Sequence, residues 1–172
     1  KLLARYNFSK VFDLQNSKSY KKFGIAEVDI IDNCFFVKKD QIKNNYFDEK
    51  YFLYFETFDF CKNLRKNGKK LFVCNNIKYH HIGANSVNKK FEKIVKYTRA
   101  YHYNWSKFYF FKKNFSLIIA FRKILPNFIK ALKKIIISIL KFDKSNLIIG
   151  LIEIYGILSA ILFLKSFYRP KM

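Results

Sequence analysis

Four carboxylates, Asp48, Glu49, Glu56 and Asp59, fall within the single stretch FDEKYFLYFETFDFCKNLRKNG. The whole chain has 12 acidic residues against 34 Lys and Arg, a formal net charge of +22, so this local concentration stands out. The acids are interleaved with Phe and Tyr. Carboxylates beside aromatics are costly to bury unless they are paired, hydrogen-bonded or metal-bound. The stretch is therefore a candidate site. Glu56-x-x-Asp59 places two acids about one helical turn apart. Two chemistries stay open at that spacing. One is a general base with a hydrogen-bonded companion. The other is a solvated first turn whose acids answer the helix dipole. His80-His81 closes a short apolar run. On a strand, one of an adjacent pair points in and the other out, so at most one faces a site. Metal ligation competes there with plain packing.

These residues need elements to hold them. From Glu56 to Asn67 the pattern is helical: Phe60, Leu64 and Cys61 share a face, with Lys62, Arg65 and Lys66 off it. Gly68 after RKN suits the position just past a helix end. AEVDII and CFFVKK read as strands around Asp32-Asn33. KLFVCN and IKYHHI read as two more, separated by Asn75-Asn76. KDQIKNN reads as a short helical turn and residues 9–24 as a polar surface loop. Phe91 to Phe111 reads as a long, aromatic-rich helix. Pro126 is expected to break the next segment, and NFIKALKKIIISILKF follows. At helical spacing its Lys130, Lys133, Lys134 and Lys141 share about a third of the circumference, opposite Ile, Leu and Phe. NLIIGLIEIYGILSAILFL, residues 146–164, approaches the length of a membrane span. Glu153 and two glycines within it argue for an interfacial or core-packed helix instead.

Composition supports a packed core: 51% of residues are hydrophobic and 20% aromatic, which argues against disorder. Charge divides the chain. Residues 1–87 carry 16 basic and 9 acidic side chains, whereas residues 88–172 carry 18 and 3. This places a boundary near Ser86–Lys90, between a first domain at 1–88 and a basic helical tail at 89–172. The excess of cations implies an anionic partner. Three cysteines, Cys34, Cys61 and Cys74, with no CxxC spacing, read as buried thiols in a reducing compartment. KLLARYNFSKVF lacks the continuous apolar core of a signal peptide.

In order, VDIIDNCFFVKKDQI and YFDEKYFLYFETFDFCKNLRKNGKKLFVCNNIKYHHIGANS resemble the C-terminal half of the catalytic domain of family 2 glycosyltransferases. The likeness is to rhamnosyltransferase-like members that build bacterial surface polysaccharides. It covers roughly residues 26–90, and the tail pieces YHYNWSKFYFFKKNF and YRP also look like the ends of such proteins. The resemblance implies an α/β fold class: a partial GT-A, Rossmann-like acceptor-side half, followed by an all-helical, amphipathic C-terminal region. It implies inverting transfer of a sugar from a nucleotide-sugar donor to a saccharide or lipid-linked saccharide acceptor. Glu56 and Asp59 fall on the family's catalytic acids. Asp48, Glu49 and Tyr51 fall on an acceptor-binding loop. His81, five residues before Ser86, falls on a residue that helps hold a divalent metal, Mg or Mn, which would neutralise the departing diphosphate. Phe47, Tyr51 and Phe52 offer a wall for sugar rings, with plain core as the competing reading.

The chain departs from the family pattern in three places. Thr57 stands where the family has an Asp that is often the base, so the role passes to Glu56 or Asp59. Asn63 stands in place of an Arg. The N-terminal βαβ unit and D-x-D pair are not in this sequence, so the chain is expected to be the C-terminal part of a longer transferase or a truncated product.

A Lys-faced, Ile-backed helix is what an interfacial membrane segment looks like. Lys130, Lys133, Lys134 and Lys141 would meet an anionic membrane surface. The expected location is cytoplasmic and peripheral to the inner face of the cell membrane, with a single span at 146–164 as the alternative. Two other functional classes compete. One is a non-catalytic membrane-associated assembly protein or remnant. The other is a basic nucleic-acid-binding protein, suggested by YTRAYHYNWSKFYFFKK. No RNP, KH or zinc-knuckle motif appears, and no nucleic-acid partner is expected.

Overall fold

The structure, a computed structural model, describes residues 24–31, 35–42, 47–74 and 89–169. The chain divides into two compact units. The first comprises Lys1–Asp48 and Glu56–Ile82, and the second Glu49–Phe55 and Gly83–Met172.

In the first unit, strand β1 (Ile25–Val28) pairs antiparallel with β2 (Leu71–Cys74), Ile25 lying opposite Cys74 and Val28 opposite Leu71. The pleat turns Ala26 and Val28 inward and Ile25 and Glu27 outward. Helix α1 (Glu56–Lys66) buries Asp59, Phe60, Cys61 and Leu64. It closes as its sequence suggests. Gly68 takes φ 72°, its N–H donates to Arg65 O at 3.0 Å, and Lys69 N–H donates to Leu64 O at 3.0 Å. This two-bond closure needs a left-handed residue, which glycine supplies without a Cβ penalty. Phe60 stacks on Phe47 at 4.5 Å and on Phe35 at 5.8 Å. Arg65 pairs with buried Asp29 beside β1.

The second unit is a bundle of α2 (Glu92–Asn114), α3 (Leu117–Leu140) and α4 (Lys144–Ile161), each packed on the other two. Tyr101, Trp105, Phe108, Phe110 and Phe111 of α2 form its centre. Ser116 caps α3 by accepting from Ile119 N–H, and Asp143 caps α4 by accepting from Asn146 N–H. Gly156 brings α4 against the α2 backbone: a Cβ there would lie 2.5 Å from Tyr101 O. Residues 49–55 belong to this unit. Phe55 packs on Phe110, and Ser106 Oγ donates to Leu53 O at 2.7 Å.

Several expectations are corrected. The fold is not a Rossmann-like α/β arrangement: the described residues form four α-helices and one two-stranded antiparallel pair. A parallel sheet covered on both faces requires near-continuous apolar strands joined by helical crossovers. Here the two strands are four residues each, and Phe72 of β2 is exposed. The described part of CFFVKK is not a strand: Phe35–Lys38 has no regular structure, and Lys39–Ile42 is a 3-10 turn. IKYHHI lies outside the described residues. Pro126 does not break the chain but sits inside α3. Its ring is on the exposed side, while Ala120 and Ile124 before it and Ala131 and Ser138 after it continue one buried stripe. Packing along that stripe outweighs the lost backbone hydrogen bond. The helical unit takes in residues 49–55 of the acidic motif together with residues 83–172.

Candidate functional site

The backbone entering α1 is unusual. Tyr54 (φ 68°) and Phe55 (φ 66°) are consecutive left-handed residues with bulky side chains. Each such conformation costs roughly 1–2 kcal/mol. Glu56 and Asp59 fall in the first turn of α1, where the helix dipole favours negative charge. Asp59 is only 1% exposed. Glu56 is half-buried, and its Oε2 is shut off from solvent with no hydrogen-bond partner among the described residues. One turn later, burial lowers the pKa of the Lys62 ammonium; Arg65 adds to this and Asp59 opposes it. The turn thus presents a half-buried carboxylate, one of its oxygens shut off from solvent, three residues before a buried companion, and a carboxylate can accept a proton from a hydroxyl brought within hydrogen-bond reach. Thr57, half-buried between them, cannot.

The other predicted residues are dispersed. Asp48 is half-buried in the first unit, whereas Glu49 is exposed in a turn of the second. Tyr51 is 7% exposed and packs edge-on against Tyr109 at 5.0 Å, which makes it a core ring of the helical unit. Phe52 is exposed on one side and carries the Arg169 guanidinium 3.4 Å from its ring centre. Phe47 stacks in the first unit. His81, the expected metal ligand, lies outside the described residues, as do His80 and Ser86. Among the described residues no group of three or more His, Cys, Asp or Glu converges as a metal site. Glu56 and Asp59 alone are fewer donors than a divalent cation takes.

The lysines of α3 form a second locus. Lys130, Lys133 and Lys141 are exposed, but Lys134 is half-buried and donates to Glu153 Oε1 of α4 at 2.6 Å. All four line a pocket of about 420 Å³, which Ile137, Ser138, Asp143 and Asn146 complete. Sequence patterning suggests two faces on this helix, and the structure has three. Ala120, Ile124, Ala131 and Ser138 face the core. The lysines form a second face. Ile118, Leu125, Ile129, Leu132, Ile136 and Leu140 form a third, and every one of them is exposed. At helical spacing this apolar face occupies an arc of about 80° beside the lysines. Leu151, Tyr155, Leu158 and Leu162 make an exposed apolar row on α4 as well. By length and composition α4 could cross a membrane, with mean hydropathy 1.4, yet it packs against both α2 and α3.

Two buried polar groups escape sequence reasoning. His102 is fully buried; its Nδ1 meets Ser166 Oγ at 2.8 Å and its Nε2 meets Tyr168 O at 2.9 Å. Burial pushes its pKa down to about 4, the Tyr168 carbonyl opposing and Arg169 adding to the fall. Lys107 donates to Asn127 Oδ1 at 2.7 Å, and Asn127 Nδ2 donates to Asn104 Oδ1 at 2.8 Å, a polar chain linking α2 to α3. Burial, then repulsion from Lys123, lowers the Lys107 pKa to about 8. The only sequence signal is polar residues interrupting the aromatic run YHYNWSKFYFF.

No family model, curated protein or solved structure matches this chain.

Proposed function

We propose that the chain is part of a glycosyltransferase that works at a membrane surface. It would pass a sugar from a nucleotide-sugar donor to a saccharide or lipid-linked saccharide acceptor in surface polysaccharide synthesis, with inversion. The observation that carries the catalytic half is the first turn of α1. Glu56, whose Oε2 is desolvated and has no hydrogen-bond partner among the described residues, stands one turn from buried Asp59. In the motif order that resembles family 2 glycosyltransferases, these are the positions of the catalytic acids. Glu56 takes the proton of the acceptor hydroxyl as the new glycosidic bond forms, and Asp59 holds the turn in place. A divalent metal, Mg or Mn, would supply charge neutralisation at the leaving diphosphate. His81 and the exposed Glu49 remain proposals for metal and acceptor.

The membrane half rests on α3, whose exposed apolar face lies beside the exposed Lys130 and Lys133. An amphipathic helix of this kind lies in the headgroup plane of a bilayer, with charge added by anionic lipid. Membrane attachment without catalysis, as in an assembly subunit, is the second reading that the same face supports.

Substitution separates them. In the intact protein, Glu56→Gln should lower sugar transfer by roughly 10²–10⁴-fold, the usual worth of a general base. Transfer unchanged in both Glu56→Gln and Asp59→Asn would overturn the catalytic assignment and leave the assembly reading.

A further inference from the structure

The corner between α3 and α4 carries more than a diffuse positive charge. Helix α3 contains no acidic residue. Of the acids nearby, Asp143 turns both carboxylate oxygens onto Asn146, at 3.0 Å to its N–H and 2.6 Å to its Nδ2, and Glu153 is held by Lys134. That leaves Lys130 and Lys133 at the pocket with no carboxylate partner among the described residues, while the Lys141 charge helps to hold Asp143 ionised. At the same corner Phe142 is 95% exposed and takes a left-handed φ of 53°. Its N–H donates to Ile139 O at 3.2 Å, and the following Asp143 N–H donates to Ser138 O at 2.8 Å, the closure that glycine serves at Gly68. A bulky apolar side chain here carries both backbone strain and full exposure to water, and neither serves the fold.

We infer that this corner is a lipid-headgroup site: the lysine pocket holds the phosphate of an anionic lipid, and Phe142 seats in the interface beside it. The inference deepens the membrane-surface reading above and rests on it. Phosphate is the chemistry of choice because Lys130, Lys133 and Lys141 outnumber the one carboxylate in the pocket lining, Asp143. Attachment of that phosphate to apolar material follows from the rim. The exposed face of α3 runs past the pocket to Leu140 and Phe142, and a free phosphate or a nucleic acid would leave it in water. An aromatic ring at headgroup depth has an apolar surface to contact.

Vesicle co-sedimentation of the full chain tests this. One set of phosphatidylcholine vesicles carries phosphatidic acid; another is brought to the same surface charge with oleic acid, whose anion is a carboxylate. The chain should bind the phosphatidic acid vesicles more tightly. The pair Lys130→Gln with Lys141→Gln should erase that preference, at about fivefold per lysine. The pair Arg99→Gln with Lys165→Gln, two exposed cations outside the pocket, should preserve it. Phe142→Gly should weaken binding to both vesicle types several-fold while leaving the fold intact. Equal binding to the two vesicle types, or equal losses from the pocket pair and the control pair, would sink the headgroup site and leave general membrane attraction standing. Absence of binding to any vesicle would remove the membrane reading with it. Displacement by inorganic phosphate at comparable concentration would make this a free-phosphate site, and tighter binding of a single-stranded oligonucleotide would make it a nucleic-acid surface. Either result overturns the proposal.

Discussion

Lys134 Nζ donates to Glu153 Oε1 at 2.6 Å, and this half-buried pair fastens α3 to α4. The contact divides the lysines around the pocket into two kinds. Lys130, Lys133 and Lys141 look outward, whereas Lys134 is committed to the bundle. Glu153→Gln should therefore destabilise the protein by about 1–2 kcal/mol, because it leaves a half-buried ammonium with a weaker acceptor. Lys134→Gln should cost a similar amount, and the double variant less than the sum. Chemical denaturation reads all three. Vesicle affinity should respond to Lys130→Gln far more than to Lys134→Gln.

Gly156 is irreplaceable for a different reason. Alanine is the better helix former by about 1 kcal/mol, yet its Cβ would sit 2.5 Å from the Tyr101 carbonyl oxygen, a backbone atom that cannot rotate away. Gly156→Ala should lose about 1–3 kcal/mol by forcing α2 and α4 apart. At Gly150 the nearest atom is a side-chain carbon, Ile135 Cγ1 at 2.8 Å, and the nearest backbone atom is Ala131 O at 3.3 Å, so Gly150→Ala should be milder. Thermal melts of the two variants should rank them in that order.

Phe142→Gly should raise stability. The substitution relieves a left-handed φ of 53° and removes a side chain that is almost wholly exposed. A gain of about 1 kcal/mol is expected from the backbone alone. A variant that is more stable yet binds vesicles less well would separate the ring's role from the fold.

Two buried bases make stability depend on pH. His102 has a folded pKa of about 4 against an ordinary 6.5, so between those values the unfolded chain binds a proton that the folded chain refuses. Stability is full above pH 6.5 and falls as pH drops through 4. Lys107 behaves likewise at the other end: its pKa falls from 10.5 to about 8, so stability should rise between those values as pH increases. Denaturant midpoints across this range would show both limbs. His102→Gln should flatten the acid limb and leave the alkaline one.

Much of the local structure was legible in the residues themselves. Helix α1 with Gly68 past its end, the strands over Ile25–Val28 and Leu71–Cys74, and the long aromatic helix α2 all follow from periodicity and capping, which depend on neighbours within a turn or a pleat. The placement of Glu56 and Asp59 in one helical turn is equally local. Other features were decided only by residues far apart in the chain. Tyr51 became a core ring because Tyr109 lies against it, and Lys134 turned inward because Glu153 waits on α4. Pro126 stayed inside a helix because buried residues on both sides of it share one stripe. Helix α3 has apolar residues to spare, enough for a core face and an exposed face. Hydrophobic periodicity counts both alike, since burial is a property of what arrives on the other side, and the bundle covers only the face that carries Ala120, Ile124 and Ala131.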